Sequence, residues 1–192
     1  MKLVIGLIGE KGAGKSTFAG ELRKRFSGKR ISYRRFSDIL IESLTPWAVI
    51  EINHENLQKF PVVMEQAYGK GILTQAMYHR ITRDAAEVVI ADGIRLPTDI
   101  AMLRSFSKNI LVYITADAEI RFNRIRTGKE KSGEKFITFE QFMQEEQTET
   151  EVLIGKLGSK ADVKIENNGS LDWFKNVISG FYESNVKPAL AP

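Results

Sequence analysis

Three stretches of the chain are apolar without interruption: Leu3–Ile8, Val88–Ala91 and Ile110–Ile114. Two weaker ones, Arg30–Phe36 and Val163-Lys164-Ile165, complete a set of five predicted strands. Between them the period changes to that of helices. Thr17–Phe26 carries apolar residues at 18, 22 and 26. Ser37 or Asp38 can cap a helix entering Ile39-Leu40-Ile41, and residues 48–68 read as an amphipathic helix that Pro61 breaks or kinks. Gly69 and Gly71 punctuate the chain before a long helix predicted over Ile72–Glu87. A short helix follows over Pro97–Phe106, and the turn Thr115-Ala116-Asp117 leads into another that holds Arg121, Arg124 and Arg126. Thr138, with Gln141 three residues on, opens a further helix as a capping box, and Ser170 caps a last one reaching about Tyr182. Strands that are apolar on both faces and alternate with helices imply a parallel sheet covered on both sides, an α/β protein of three layers. Ligands of such sheets sit beyond the carboxyl ends of the strands.

Composition narrows this picture. The 192 residues suit a single domain spanning 1–192, and 43% hydrophobic residues suffice for a core. The chain has no cysteine, so disulfides and thiolate metal sites are excluded. No apolar run approaches the roughly 20 residues of a membrane span. Met1–Ile8 is too short for a signal peptide and is needed as the first strand, so a cytoplasmic protein is expected. The net charge of +4 is scattered along the chain, and arginines gathered around phosphates account for it as well as nucleic acid would.

The sharpest chemical signal is Gly9-Glu10-Lys11-Gly12-Ala13-Gly14-Lys15-Ser16, set between the first strand and the first helix. It fits the phosphate-loop pattern G-x-x-x-x-G-K-[ST] with the right flanks. The glycines let main-chain amides curl around a triphosphate, and the start of the helix at Ser16 and Thr17 adds partial positive charge. Lys15 is expected to reach the outer phosphates and the Ser16 hydroxyl to serve Mg²⁺; Lys11 either touches phosphate or is solvated. The bland alternative is a chance loop at the end of a core strand. Asp92 ends the third strand, where a carboxylate can hold Mg²⁺ through water, or where Asp92-Gly93 merely turns the chain. Arg95 can point toward the same phosphates. Arg121 and Arg124 are three residues apart and share a helix face, with Phe122 and Ile125 packing inward; such arginines stabilise a transferring phosphoryl group or form a solvated basic face. The polar stretch Thr127–Lys135 reads as a mobile lid, extending over about 126–146 with the helix after it. Asp38 can orient the acceptor or cap a helix, and residues 37–80 form the acceptor side. The Asn167-Asn168-Gly169 loop, Asn168 in particular, can contact a purine edge or be an ordinary turn. His54 and His79 have no metal-ligand spacing, and Trp47 and Trp173 are expected to pack in the core or shelter a cleft edge.

Four blocks, Gly9–Ser16, Val88–Arg95 with Pro97, Arg121–Arg126 and Ala161–Ser170, together resemble the nucleotide-kinase branch of phosphate-loop (P-loop) NTPases. The likeness is to the dephospho-CoA kinase-like and adenylate-kinase-related families and covers most of the chain. It implies a five-stranded parallel sheet, a small helical lid, ATP and Mg²⁺, and transfer of the γ-phosphoryl to a small nucleotide-like acceptor. By that resemblance Lys15 and Ser16 serve ATP and Mg²⁺, and Arg121 and Arg124 start the lid. The acceptor side departs from the pattern. Ile39-Leu40-Ile41-Glu42 lacks the arginine that adenylate-kinase relatives carry, and Glu65 stands where a basic residue is expected. Two other functions compete. A nucleotide switch or ATPase would need a guanine signature or an Asp-x-x-Gly block, and neither is present; a nucleic-acid 5′-end kinase would need an aromatic platform or basic stripe, which the chain does not display. Whether the protein is a monomer or an oligomer is not legible in the sequence.

Overall fold

The computed structural model describes residues 2–26, 30–47, 52–127, 138–147 and 149–191. Five parallel strands form one sheet: β1 (Leu3–Ile8), β2 (Ile31–Arg35), β3 (Val88–Asp92), β4 (Lys108–Thr115) and β5 (Val163–Glu166), in the order β2-β3-β1-β4-β5. The continuous apolar strands are therefore the central ones, and the mixed Ile31–Arg35 and Val163–Glu166 are the edges. Alternation along β1 divides the core in two. Leu3, Ile5 and Leu7 face a layer built by α1 (Lys15–Arg23) and α9 (Leu171–Phe181), where Phe18, Leu22, Phe174, Ile178 and Phe181 are buried. Val4 and Ile8 face the other layer, filled from α4 (Ile72–Arg83), α5 (Pro97–Arg104) and α8 (Glu149–Gly158) by Met77, Ile81, Met102, Leu103, Ile154 and Leu157. At Gly6 a Cβ would meet Ile94 Cδ1 at 2.4 Å and Leu103 Cδ2 at 2.6 Å, so the absent side chain is what lets α5 lie close on the sheet.

The remaining elements depart from the sequence pattern at specific places. Helix α2 (Phe36–Leu44) starts one residue after β2, so its N-cap is Arg35 and not Ser37 or Asp38. Asp38 instead sits in the first turn, where its carboxylate accepts from the Arg35 amide at 3.1 Å and from Arg35 Nε at 2.9 Å. A 3₁₀ turn follows over Thr45–Trp47. Helix α3 (His54–Tyr68) begins at the Asn53 cap, whose side chain accepts from the Asn56 amide, and runs through Pro61 without a break. One ladder hydrogen bond is lost there, and packing against α2 and α4 carries the helix on. Residues 48–51 lie outside the described residues. Helix α4 ends at Arg83 rather than Glu87. Lys2 Nζ gathers the carbonyls of Ile81, Thr82 and Asp84 at 2.5, 3.2 and 2.6 Å, and Asp84 turns to an extended backbone. That ammonium satisfies acceptors a helix end leaves bare, and it comes from a residue 80 positions away. Helix α6 spans Ala118–Thr127, and α7 (Phe139–Glu145) opens at Thr138 with both arms of the capping box formed. The polar stretch 128–137 lies outside the described residues. After α9 the chain continues through a π turn (Tyr182–Val186) into α10 (Lys187–Ala189), beyond the predicted end of the last helix. Trp47 is 64% and Trp173 43% exposed, so neither tryptophan is a core residue. His79 is exposed.

Candidate functional site

Strand register decides what meets at the carboxyl edge. Asp92 stands opposite Leu7 on β1 and Arg35 on β2, so the loop after β1, the end of β3 and the start of α2 converge. The loop 9–14 closes on itself through the Ala13 amide, which donates to Glu10 O at 3.2 Å. It enters α1 at Gly14, whose φ of 105° is left-handed. Space around the loop is as restrictive as its dihedrals. A Cβ on Gly12, where φ is 79°, would lie 2.7 Å from the Arg121 carbonyl, and one on Gly9 would lie 2.1 Å from the Ile114 carbonyl. These are backbone atoms that cannot swing aside. Gly12→Ala is accordingly expected to cost about 1–3 kcal/mol in strain alone and to lower the melting temperature by several degrees. Thermal denaturation checks this, and an unchanged midpoint would mean the loop relaxes at no cost.

Lys15 opens α1 and folds back over the loop, donating from Nζ to Gly9 O at 2.6 Å and Glu10 O at 2.9 Å. Burial lowers its pKa, and the Asp92 carboxylate acts in the opposite sense. Ser16 is exposed at the first turn and Thr17 is half-buried behind it. Asp92 is 7% exposed; its Oδ2 accepts from the Tyr33 hydroxyl, and its Oδ1 is buried without a partner. Burial and the neighbouring Asp92 charge push the Tyr33 phenol well above its ordinary range, so it stays a donor. An orphaned carboxylate oxygen facing a lysine, with a serine hydroxyl at the helix start, suits a divalent ion of Mg²⁺ type, which takes one or two protein oxygens and keeps its waters. Among the described residues there is no cluster of three His, Cys, Asp or Glu that would form an all-protein metal cage.

Asn167, and not the Asn168 singled out in the sequence, is the residue after β5 that reaches the glycine loop. It is 3% exposed, and its Nδ2 donates to Ala13 O at 2.9 Å, tying the last strand to the glycine loop. Its Oδ1 is also without a partner. Asn167→Ala leaves the Ala13 carbonyl unpaired and is expected to cost about 1–3 kcal/mol, readable as a lower denaturation midpoint in urea; Asn168→Ala is expected to cost less. Asn168 points elsewhere, accepting from the Asp117 amide at 2.9 Å at the entrance to α6.

Of the three arginines of α6, Arg126 lies 5.6 Å over the Phe122 ring, and Arg121 and Arg124 part company. Arg121 is 5% exposed and fully engaged: Nε donates to Ala116 O at 2.8 Å, Nη1 to Lys11 O at 3.3 Å, and both terminal nitrogens to the Glu146 carboxylate. Its guanidinium also lies 5.4 Å over the Phe142 ring. Arg124 is half-buried against Gly169, with Nη2 3.4 Å from that carbonyl and Nη1 unpartnered. Phe122 packs inward as predicted, with Phe139 and Phe142 of α7 at 5.3 and 5.7 Å, and Ile125 is half-buried. Lys11 bridges to Glu145 at 3.2 Å, and Arg95 pairs with Glu151. A cavity of about 460 Å³ is lined by Arg34, Glu42, His79, Arg80, Arg83 and Asp84 and by no residue of the loop. Two ion pairs line it, Arg80 with Glu42 and Arg34 with Asp84, beside Arg83.

A five-stranded parallel sheet of this order, with a glycine loop leaving β1 for α1, is the P-loop NTPase fold seen in shikimate kinases. Similarity to known proteins agrees at that level. The chain is 27% identical over 174 residues to a UPF0200 protein of Hyperthermus butylicus, covering 91% of this chain and 90% of that one. A UPF0200 protein of Staphylothermus marinus is 24% identical over 192 residues, with 97% of each chain covered. No family model matches the sequence. Among solved structures, shikimate kinase from Bacteroides thetaiotaomicron superposes with a TM-score of 0.63 at 16% identity, over 94% of this chain and 97% of that chain. Shikimate kinase from Acinetobacter baumannii in complex with shikimate gives 0.60 at 16% identity, over 100% and 97%. The likeness is one of fold; it does not single out dephospho-CoA kinases. No helix among the described residues is long and apolar enough to cross a membrane.

Proposed function

We propose that the chain is an ATP- and Mg²⁺-dependent phosphotransferase acting on a small, nucleotide-like acceptor. The observation that carries this reading is the conjunction at one edge of the sheet: a glycine cradle closed to any Cβ, the Lys15 ammonium over it, and the bare Asp92 Oδ1 beside it. Bound there, Mg·ATP supplies a phosphoryl group whose charge the metal partly neutralises. The residues of the chain do the rest. Main-chain amides of Gly12–Thr17 hold the phosphates, and Lys15 turns from the loop carbonyls to the outer phosphate oxygens. Ser16 and Asp92 hold the cation, with Tyr33 fixing the Asp92 carboxylate in place. Arg121 and Arg124 would meet the negative charge that spreads over the transferring group, and residues 126–146 would form the lid that excludes water. Asp38 lies on the acceptor side, where its carboxylate can orient the attacking hydroxyl or phosphate once Arg35 releases it. Arg35, once parted from Asp38, would give that side positive charge, which favours an anionic acceptor. The residues 37–80 then form the acceptor-binding region within one domain.

The test is transfer from labelled ATP with Mg²⁺ to a panel of nucleoside monophosphates, dephospho-CoA, shikimate and a 5′-hydroxyl oligonucleotide. Acceptor-dependent labelling of a small anion is the expected result. Slow ATP hydrolysis that no acceptor stimulates would replace this reading with a nucleotide switch or ATPase.

A further inference from the structure

Three cations at the phosphate edge are each matched by a carboxylate from one short acidic stretch. Lys11, inside the glycine loop, pairs with Glu145 at 3.2 Å. Arg121, whose Nη1 also reaches the loop at Lys11 O, takes Glu146 in a two-pronged pair, with Nη2 2.7 Å from Oε2. Arg95, three residues beyond Asp92, takes Glu151, and the Glu151 charge also acts on Lys15. These carboxylates stand at the end of α7 and in the first turn of α8. A planar two-oxygen anion on an arginine fork is the nearest protein equivalent of a phosphate.

We propose that Glu145, Glu146 and Glu151 form an internal phosphate mimic that occupies the nucleotide site until ATP displaces it. This inference rests on the reading of the glycine loop as a triphosphate site. A purely structural role for the three pairs is less economical. Helix α7 is already fixed to α6 by Phe142, which is 1% exposed and packs on Phe122 and the Arg121 guanidinium. Helix α8 is fixed by Ile154 and Leu157 in the core. The carboxylates can therefore leave their cations by rotamer changes, or by a small tilt of α7, without either helix losing its apolar anchor. Helices held by packing and cations held by exchangeable anions make a competitive latch. ATP then has to win three charges from an intramolecular competitor, and its apparent affinity falls by the fraction of molecules in which the latch is open.

The test compares Mg·ATP binding by the intact chain with that of the triple variant Glu145→Gln, Glu146→Gln, Glu151→Gln. A control variant, Glu21→Gln, Glu87→Gln, Glu183→Gln, makes the same change of net charge away from the carboxyl edge. A latch closed in nine molecules of ten predicts about tenfold tighter binding by the triple variant and none of that gain in the control. The single variant Glu146→Gln should show part of the gain. On the unaltered chain, carboxyl footprinting should show the three glutamates becoming more reactive when Mg·ATP is added. Equal or weaker binding by the triple variant, an equal gain in the control, or glutamates that stay protected would overturn the latch while leaving the nucleotide site standing. Failure of both the wild type and the triple variant to bind Mg·ATP at millimolar concentration would instead remove the site itself, and the latch with it.

Discussion

Lys15→Ala is expected to abolish measurable phosphoryl transfer while leaving the fold in place. The Nζ group lies directly on the glycine loop through two hydrogen bonds, at 2.6 Å to Gly9 O and 2.9 Å to Glu10 O. It donates to loop carbonyls here; in the proposed complex it would turn to the outer phosphate oxygens, where charge on the leaving β-phosphate rises as its bond to the transferring group breaks. An interaction that strengthens along that path lowers the barrier rather than merely tightening binding. Losing one such preorganised group costs about 10²–10³ in kcat, and the weaker phosphate binding adds to the loss in kcat/KM. Lys15→Arg retains the charge, yet a planar fork does not fit a site shaped for a compact ammonium, so little rescue is expected. Steady-state assays with the preferred acceptor, with circular dichroism as the folding control, decide the matter. A Lys15→Ala protein that turns over at the wild-type rate would remove this residue from the mechanism.

Asp92→Asn is expected to be the next most damaging change. The amide preserves size and can still accept from the Tyr33 hydroxyl, so the strand end keeps its shape. What disappears is the charge at the buried Oδ1, the atom that no protein group satisfies. A buried, unpaired oxygen on a carboxylate residue only 7% exposed would be a standing cost of folding; its retention makes sense when a cation or its water comes to it. A loss of about 10²-fold in kcat is expected, together with a rise in the Mg²⁺ concentration needed for half-maximal rate. The second readout separates the metal role from general damage. Tyr33→Phe removes only the hydrogen bond to Oδ2 and should fall between the wild type and Asp92→Asn. If Asp92→Asn changes rate but not Mg²⁺ dependence, the carboxylate is not serving the metal.

How much of this could be read in the chain differs from element to element. The sheet and its central strands were legible because burial on both faces leaves an uninterrupted apolar run, as at Leu3–Ile8. The glycine loop was legible because its geometry demands residue types at fixed spacing. The capping box at Thr138 and Gln141 was legible because both partners are local. What escaped was settled by residues far apart in sequence. Helix α4 stops at Arg83 because Lys2 caps it from the other end of the chain. Pro61 does not stop α3 because α2 and α4 support that helix. Asn168 was singled out over Asn167 in the sequence, yet the end of β5 places Asn167 against Ala13 and Asn168 against Asp117. Tyr33 reads as one more residue of a mixed strand; only the register of β2 on β3 brings it to Asp92. The arginines of α6 were recognisable as candidates, but not that Arg121 is engaged by Glu146, because α8 and the acidic stretch before it carry no signal of what they pair with. The spacing of Arg121 and Arg124 was silent about partners: one is held by Glu146 and the other lies against Gly169.

The account stands or falls on whether the loop 9–16 holds a triphosphate. Equilibrium titration of Mg·ATP into the wild-type chain and into Lys15→Ala tests this with no need to know the acceptor. Saturable binding by the wild type, weakened by about two orders of magnitude in the variant, is the result the structure leads us to expect. Equal affinity in the two proteins, or no uptake of nucleotide by the wild type at millimolar concentration, would contradict it.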